Sequence, residues 1–227
     1  MAFATKNSPE RDDAHAHSDP DPHPDDAHQD DAHAHLPDTV TQAVKILVVG
    51  AFGVGKTTLI GSVSEIRPLR TEERMTQASV GVDDLRGLGA KSETTVAMDF
   101  GRITLSPSLV LYLFGAPGQR RFWELWKGLV TGAIGLLVLV DTRRIEDSFE
   151  VLDQWERYSL PYVVAVNRFP DSAQYEDGEI REALDLPASV PVVTCEATDP
   201  RASQRALEAL VRHAIEQHRH AAREALV

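Results

Sequence analysis

Apolar residues in this chain gather in short solid blocks, and the stretches between them carry apolar positions at helical spacing. "VKILVV" (44–49) is rich in β-branched residues and unbroken by polar ones after Lys45, as expected of a strand covered on both faces. "AIGLLVLVD" (133–141), "PYVVAVN" (161–167) and "VPVVTCEA" (190–197) repeat the pattern. Phe149, Leu152 and Trp155, and later Leu207, Leu210, Val211, Ala214 and Ile215, have the spacing of packed helix faces. "TTVAMDFGRITL" (94–105) and "SLVLYLFGAPGQ" (108–119) read instead as an antiparallel pair joined near Ser106-Pro107. Strands and helices alternate around this one hairpin, so the fold class is α/β, a mostly parallel sheet flanked by helices on both faces. From Leu69, just past the helix-stopping Pro68, to Ser92 there is no clear period, and a long functional loop is expected.

The joint after the first block narrows the chemistry. "GAFGVGKT" (50–57) fits G-x-x-x-x-G-K-[ST] at every fixed position, between a strand and a helix as that motif requires. Gly50, Gly53 and Gly55 permit a backbone path whose N–H groups converge on an anion, with Phe52 and Val54 between them. Lys56 adds a charge at the helix mouth, and Thr57, followed by Thr58, offers a hydroxyl to a magnesium ion. A P-loop NTPase is therefore expected.

Charge adds a tail to this picture. Of the net charge of −12, residues 1–38 hold ten Asp/Glu against Lys6 and Arg11, and the repeated Asp-Asp-Ala-His units at Asp12, Asp25 and Asp30 have almost no apolar residue to bury. Residues 1–40 are expected to be a disordered Asp/His-rich tail, and 41–222 the folded domain. Six of the nine histidines lie in the tail, at spacings that define no closed metal site. No basic stripe follows a nucleic-acid backbone, so nucleic acid is not an expected partner. A single cysteine, Cys195, and the lack of any apolar run of spanning length point to a cytoplasmic protein that meets a membrane only through partners.

Phosphate hydrolysis in a P-loop protein needs a metal site, a positioned water and a sensor of the γ-phosphate. Thr95, at the start of "TVAMD", offers a hydroxyl and an N–H to the metal and γ-phosphate; Gly118 offers an N–H, and Gln119 can orient water. Phe122, Trp123 and Trp126 follow at helical spacing and read as core residues of a helix, while Asp141, at a strand end, reads as a cap.

"GAFGVGKT", "TTVAMDF", "GAPGQRRFW", "VAVNRF" and "TCEA" fall, in order, where the motifs of Ras-like small GTPases fall, so residues 44–220 resemble that family. More narrowly the chain looks like the bacterial branch that includes MglA, and most of all the actinobacterial conservon GTPases. The resemblance implies a Ras-like G domain with a six-stranded sheet, a GTP/GDP switch that uses Mg2+, and catalytic roles for Lys56, Thr95 and Gln119. It also implies partners of two kinds, a roadblock-type regulatory protein and a membrane protein like a sensor kinase. It places Asn167 and Arg168 at the base and P-loop, and Cys195, Glu196 and Ala197 in the last motif, with a backbone N–H near Ala197 on the guanine carbonyl.

Three departures stand out. Phe52 replaces a glycine beside the catalytic glutamine, so hydrolysis is expected to be slow. Gly115 replaces the aspartate behind the metal-bound water; Asp99 is the expected substitute metal residue with Thr57 and Thr95, so Asp99→Ala is expected to weaken the magnesium dependence of GTP binding and Gly115→Asp to restore part of it. Pro170 stands where the family has its guanine-reading aspartate, with Asp171 one place late. Two rival readings are a metallochaperone GTPase with a metal-binding His-rich tail, and a nucleotide-binding scaffold that does not hydrolyse.

Overall fold

The computed structural model describes residues 36–67, 69–75, 94–118 and 123–224, and for 69–75, 94–97 and 123–126 the backbone alone. The order is β1 (Gln42–Gly50), α1 (Lys56–Val63), β2 (Leu69–Met75), β3 (Thr94–Ser106), β4 (Leu109–Gly115), α2 (Trp123–Val130), β5 (Ala133–Val140), a 3-10 turn (Thr142–Arg144), α3 (Asp147–Glu156), β6 (Tyr162–Asn167), α4 (Asp177–Ala183), β7 (Val192–Cys195) and α5 (Pro200–Glu224). The strands form one sheet in the order β2-β3-β4-β1-β5-β6-β7. β1 lies parallel between β4 and β5, β6 and β7 continue the parallel run, and β2-β3-β4 is antiparallel.

All six expected strands form, and Leu69–Met75 adds a seventh at the edge, inside the stretch expected to be a loop. Its sequence, LRTEERM, carries four charges and pairs on one side only, so no apolar rhythm betrays it. The chain enters β1 through a turn fastened to the β3–β4 hairpin: Thr39 Oγ1 donates to Pro107 O at 2.7 Å, and the Thr41 and Gln42 N–H groups to Ser108 O. The folded part thus begins a few residues before 41, and the tail repeats and tail histidines lie outside the described residues.

Alternation along β1 divides the core. Leu47 and Val49 point to the face covered by α2, α3 and α4, where they meet Val151, Leu152, Trp155 and Ile180. Ile46 and Val48 point to the other, covered by α1 and α5 through Leu59, Ile60, Leu207 and Leu210. Of the expected helix faces, Leu152, Trp155, Leu207, Leu210 and Ala214 are buried, whereas Phe149 and Ile215 are exposed because each helix turns them past the sheet contact. Trp123 and Trp126 lie in α2.

α1 carries the phosphate-loop lysine and threonine, so its seating on the sheet matters. Glu65, just past its end, accepts from Arg102 Nε at 2.8 Å, Thr104 Oγ1 at 2.6 Å and Thr104 N at 3.0 Å. Burial opposes ionisation of Glu65, but the bonds from Thr104 and Arg102 outweigh it and hold the carboxyl below its usual range. Gly101 on β3 lets the helix approach: a Cβ there would stand 2.7 Å from Ile60 Cγ2 and 3.1 Å from Ser64 Cβ. Gly101→Ala should therefore cost about 1–3 kcal/mol, read as a lowered midpoint in thermal denaturation of the nucleotide-free protein; an unchanged midpoint would mean that α1 shifts outward freely.

Candidate functional site

The loop between β1 and α1 is wrapped from outside. Lys56 Nζ reaches back to donate to Gly50 O at 2.9 Å and Ala51 O at 2.8 Å. Burial lowers the Lys56 pKa to about 8, against the opposing pull of Asp99. Asn167, buried at the end of β6, donates Nδ2 to Val54 O at 2.9 Å and accepts the Ala197 N–H on Oδ1 at 2.9 Å. Gly55 has φ 107°, and a Cβ on it would stand 2.6 Å from that Nδ2, so only glycine lets the amide in. Gly118 closes the loop from the β4 side: a Cβ there would lie 2.6 Å from Gly50 O and 2.8 Å from Phe52 N. The Phe52 side chain is 71% exposed.

Thr57 Oγ1, in the first turn of α1, donates to Asp99 Oδ2 at 2.5 Å. Asp99 stands on β3 opposite Gly115 on β4, and a Cβ on Gly115 would meet Asp99 Cβ at 3.1 Å and Asp99 Oδ2 at 3.2 Å. The carboxylate comes from the neighbouring strand at the paired position, and the glycine leaves it room. A side chain added at 115 would crowd Asp99 by a few tenths of an ångström, so the aspartate expected to restore metal dependence at 115 fits best once the Asp99 carboxylate is removed. Hydroxyl and carboxylate oxygens are the donors a hard divalent cation takes, so this pair fits magnesium.

Of the other expected residues, Gly50, Phe52, Gly53 and Val54 lie in the loop, and Thr58 is exposed on α1. The Thr95 backbone pairs with Arg74 in the β2–β3 ladder, four residues along an extended strand from Asp99, a rise of roughly 13 Å. Gln119 and Phe122 lie outside the described residues.

On the far side, Arg168 N donates to Cys195 O at 2.8 Å, which joins β6 to β7. Cys195 is buried, and burial pushes its thiol up to about 12, so it holds no thiolate for a metal. Glu196 accepts from Thr198 Oγ1 at 2.9 Å. Of the backbone N–H groups near Ala197, where one is expected on a guanine carbonyl, that of Ala197 itself donates to Asn167.

Sequence reading passed over two consecutive arginines. Asp141, buried at the end of β5, caps the 3-10 turn by accepting from Arg143 N at 3.0 Å, and grips the Arg143 side chain at 2.8–2.9 Å. Those side-chain bonds hold the Asp141 carboxyl below its usual range against burial. The Arg143 guanidinium lies 3.7 Å over the Phe169 ring, and Arg144 Nη2 donates to Phe52 O at 3.2 Å. Their one legible signal was position, at the carboxyl end of a central parallel strand, where open α/β sheets bind ligands.

The model of the family described as "Conserved hypothetical ATP binding protein" matches residues 48–217. The uncharacterized protein MJ1339 of Methanocaldococcus jannaschii is 26% identical over 127 residues, 55% of this chain and 70% of that one. Ras-related protein Rab-18-B of Danio rerio is 28% identical over 120 residues, 53% of this chain and half of its own length. Among solved structures, the FeoB G domain from Methanococcus jannaschii superposes with a TM-score of 0.51 at 12% identity, over 77% of this chain and 99% of that one. The cytosolic domain of the T. maritima FeoB iron transporter in a GDP form superposes at 0.52 and 16% identity, over 76% and 63%. The fold is that of a Ras-like P-loop G domain, and the chain belongs to the family of conserved hypothetical ATP-binding proteins.

Proposed function

We propose that this chain is a GTP/GDP-binding molecular switch of the small-GTPase type, using Mg2+ and hydrolysing GTP slowly. The observation that carries the reading is the Thr57–Asp99 pair beside the lysine-tied phosphate loop, opposite a glycine that makes room for it. In this reading the loop N–H groups and Lys56 hold the phosphates, Gly118 meets the γ-phosphate, and Gln119 orients the attacking water. Thr57 and Asp99 would hold a magnesium ion, which when bound would supply positive charge to the phosphate oxygens. Lys56 keeps its proton once an anion is bound, because the phosphate's charge offsets the burial that lowers its pKa.

The motif order supports a Ras-like small GTPase, and within that superfamily we take the MglA-like branch and its conservon GTPases as the nearest likeness. Bacterial signalling beside a roadblock-type protein and a sensor-kinase-like membrane protein belongs to the same proposal. Among the described residues no helix is long and apolar enough to cross a membrane, so membrane contact in this scheme comes through those partners. The metallochaperone reading loses its cysteine, since Cys195 is buried as a thiol.

A scaffold that binds nucleotide without hydrolysing it is the second reading. Phe52 favours it, because its large exposed side chain stands at the rim where an activator would approach.

Base choice is the first test. With Pro170 in the guanine-reading place and the Ala197 N–H taken by Asn167, preference for GTP over ATP should fall well short of that of Ras. Titrating nucleotide-free protein with GTP, GDP and ATP measures it, and equal or tighter binding of ATP would make this an adenine-nucleotide switch.

The metal pair gives a second. Asp99→Ala should raise the magnesium concentration needed for half-maximal GTP binding by roughly 10-fold, about 1.4 kcal/mol. Gly115→Asp alone should not improve binding, whereas Asp99→Gly with Gly115→Asp, which exchanges carboxylate and space, should recover part of the loss. An Asp99→Ala protein with an unaltered magnesium titration would remove Asp99 from the metal site.

The third concerns turnover, expected at or below the ~10⁻⁴ s⁻¹ scale of unassisted small GTPases. If the exposed ring hinders hydrolysis, Phe52→Gly should raise single-turnover phosphate release by roughly 10-fold. No release from either protein, with GTP bound, would favour the scaffold.

A further inference from the structure

Arg144 grips the outer surface of the phosphate loop. Its Nη2 donates to Phe52 O at 3.2 Å and lies 3.6 Å from where a Cβ on Gly53 would stand. A peptide unit is planar and trans, so its C=O and N–H point in opposite directions. Holding the Phe52 carbonyl outward therefore aims the Gly53 N–H inward, toward the space the loop encloses. Gly53 has φ 77°, a left-handed conformation that glycine adopts freely and that leaves this peptide little intrinsic preference for one orientation. A cation on the carbonyl also polarises the peptide and strengthens its N–H as a donor.

The guanidinium is available for this role. Asp141 spends its close contacts on Arg143 and stands 3.8 Å from Arg144, and Asp147 is 3.7 Å away and half-exposed. The 3-10 turn sends the two adjacent arginines apart, Arg143 to the Phe169 ring and Arg144 to the loop.

We propose that Arg144 is a positioning residue for the phosphate site, acting through the Phe52–Gly53 peptide to aim and strengthen the Gly53 N–H toward a bound nucleoside diphosphate or triphosphate. This rests on the nucleotide reading of the loop. It goes beyond that reading by assigning a phosphate-sensing role to a residue outside the motif. It also makes the β5–α3 turn part of the site, so that displacement of Arg144 weakens phosphate binding without contact with the ligand.

The test uses the full chain and three proteins: the parent, Arg144→Gln and Arg144→Lys. Each is titrated with GDP in excess magnesium, and the Gly53 amide is followed by 1H–15N NMR in the GDP-bound state. Because Arg144 is about half-exposed and its ion pairs are long, Arg144→Gln should fold with a midpoint close to the parent's. It should bind GDP roughly 10-fold more weakly, and its Gly53 amide proton should move upfield as the hydrogen bond to phosphate weakens. Arg144→Lys, which keeps the charge but loses the planar fork, should recover part of both effects. A parent that binds GDP normally, with Arg144→Gln matching it in affinity and in the Gly53 resonance, would overturn the role of Arg144 alone. Weakened binding with an unmoved Gly53 resonance would overturn the peptide route. A parent that binds neither GDP, GTP nor ATP would overturn the nucleotide reading and this inference with it.

Discussion

The phosphate loop depends on having its carbonyls satisfied by side chains. Gly50 O and Ala51 O accept from Lys56, Phe52 O from Arg144 and Val54 O from Asn167. A loop whose N–H groups converge on an anion turns its carbonyls the other way, where each needs a donor or water. The donors come from three places: the first turn of α1, the turn after β5 and the end of β6. The sheet order makes this possible, because β1, β5 and β6 are consecutive parallel neighbours. The glycines then make the approach possible. At Gly50 a Cβ would meet Leu139 O at 2.5 Å, and at Gly55 it would meet the Asn167 amide.

The carboxylate at Thr57 shows how a site can be kept in space while its residue moves in sequence. In an antiparallel ladder two paired residues occupy neighbouring places on one face, so a carboxylate can pass from one strand to the other if the partner becomes small. Asp99 and Gly115 are such a pair, and a side chain added at 115 would crowd Asp99. Single substitutions at Gly115 therefore speak about crowding, whereas removal of the Asp99 carboxylate, or its exchange with position 115, speaks about the carboxylate.

Much of this was legible because it is local. The glycine pattern, Lys56 and Thr57 lie within one turn of chain, and the solid apolar blocks of β1, β5 and β6 are long enough to be read by pattern alone. Asp99 is legible as the acid nearest the place left empty at Gly115, and its carboxylate accepts from Thr57. What escaped depended on partners distant in sequence. β2 is a charged edge strand defined only by its ladder to β3, in which Thr95 pairs with Arg74. Arg144 lies 92 residues from Phe52, and nothing in "DTRRIED" states which of its two arginines turns toward the loop. The three-residue turn capped by Asp141 decides that, and a turn of that length leaves no periodic trace.

The base side of the site is organised differently from the phosphate side. Backbone and glycine geometry build the phosphate side, and these suit any nucleoside polyphosphate. Discrimination between guanine and adenine requires a polar group fixed opposite the base edge, since leaving such a group unpaired is what rejects the wrong base. Here the chain offers Pro170 in one such place, and the Ala197 N–H is satisfied by Asn167. Arg143 stacks on Phe169 under the pull of Asp141 and within the field of Asp171, so the nearby charges are occupied with one another. A G-domain fold in a family described as ATP-binding is consistent with this division. The residues at the expected base side, Asn167, Arg168 and Glu196, are held by Val54 O, the Ala197 N–H, Cys195 O and Thr198, so the structure fixes the loop more firmly than it fixes any polar group for a base edge.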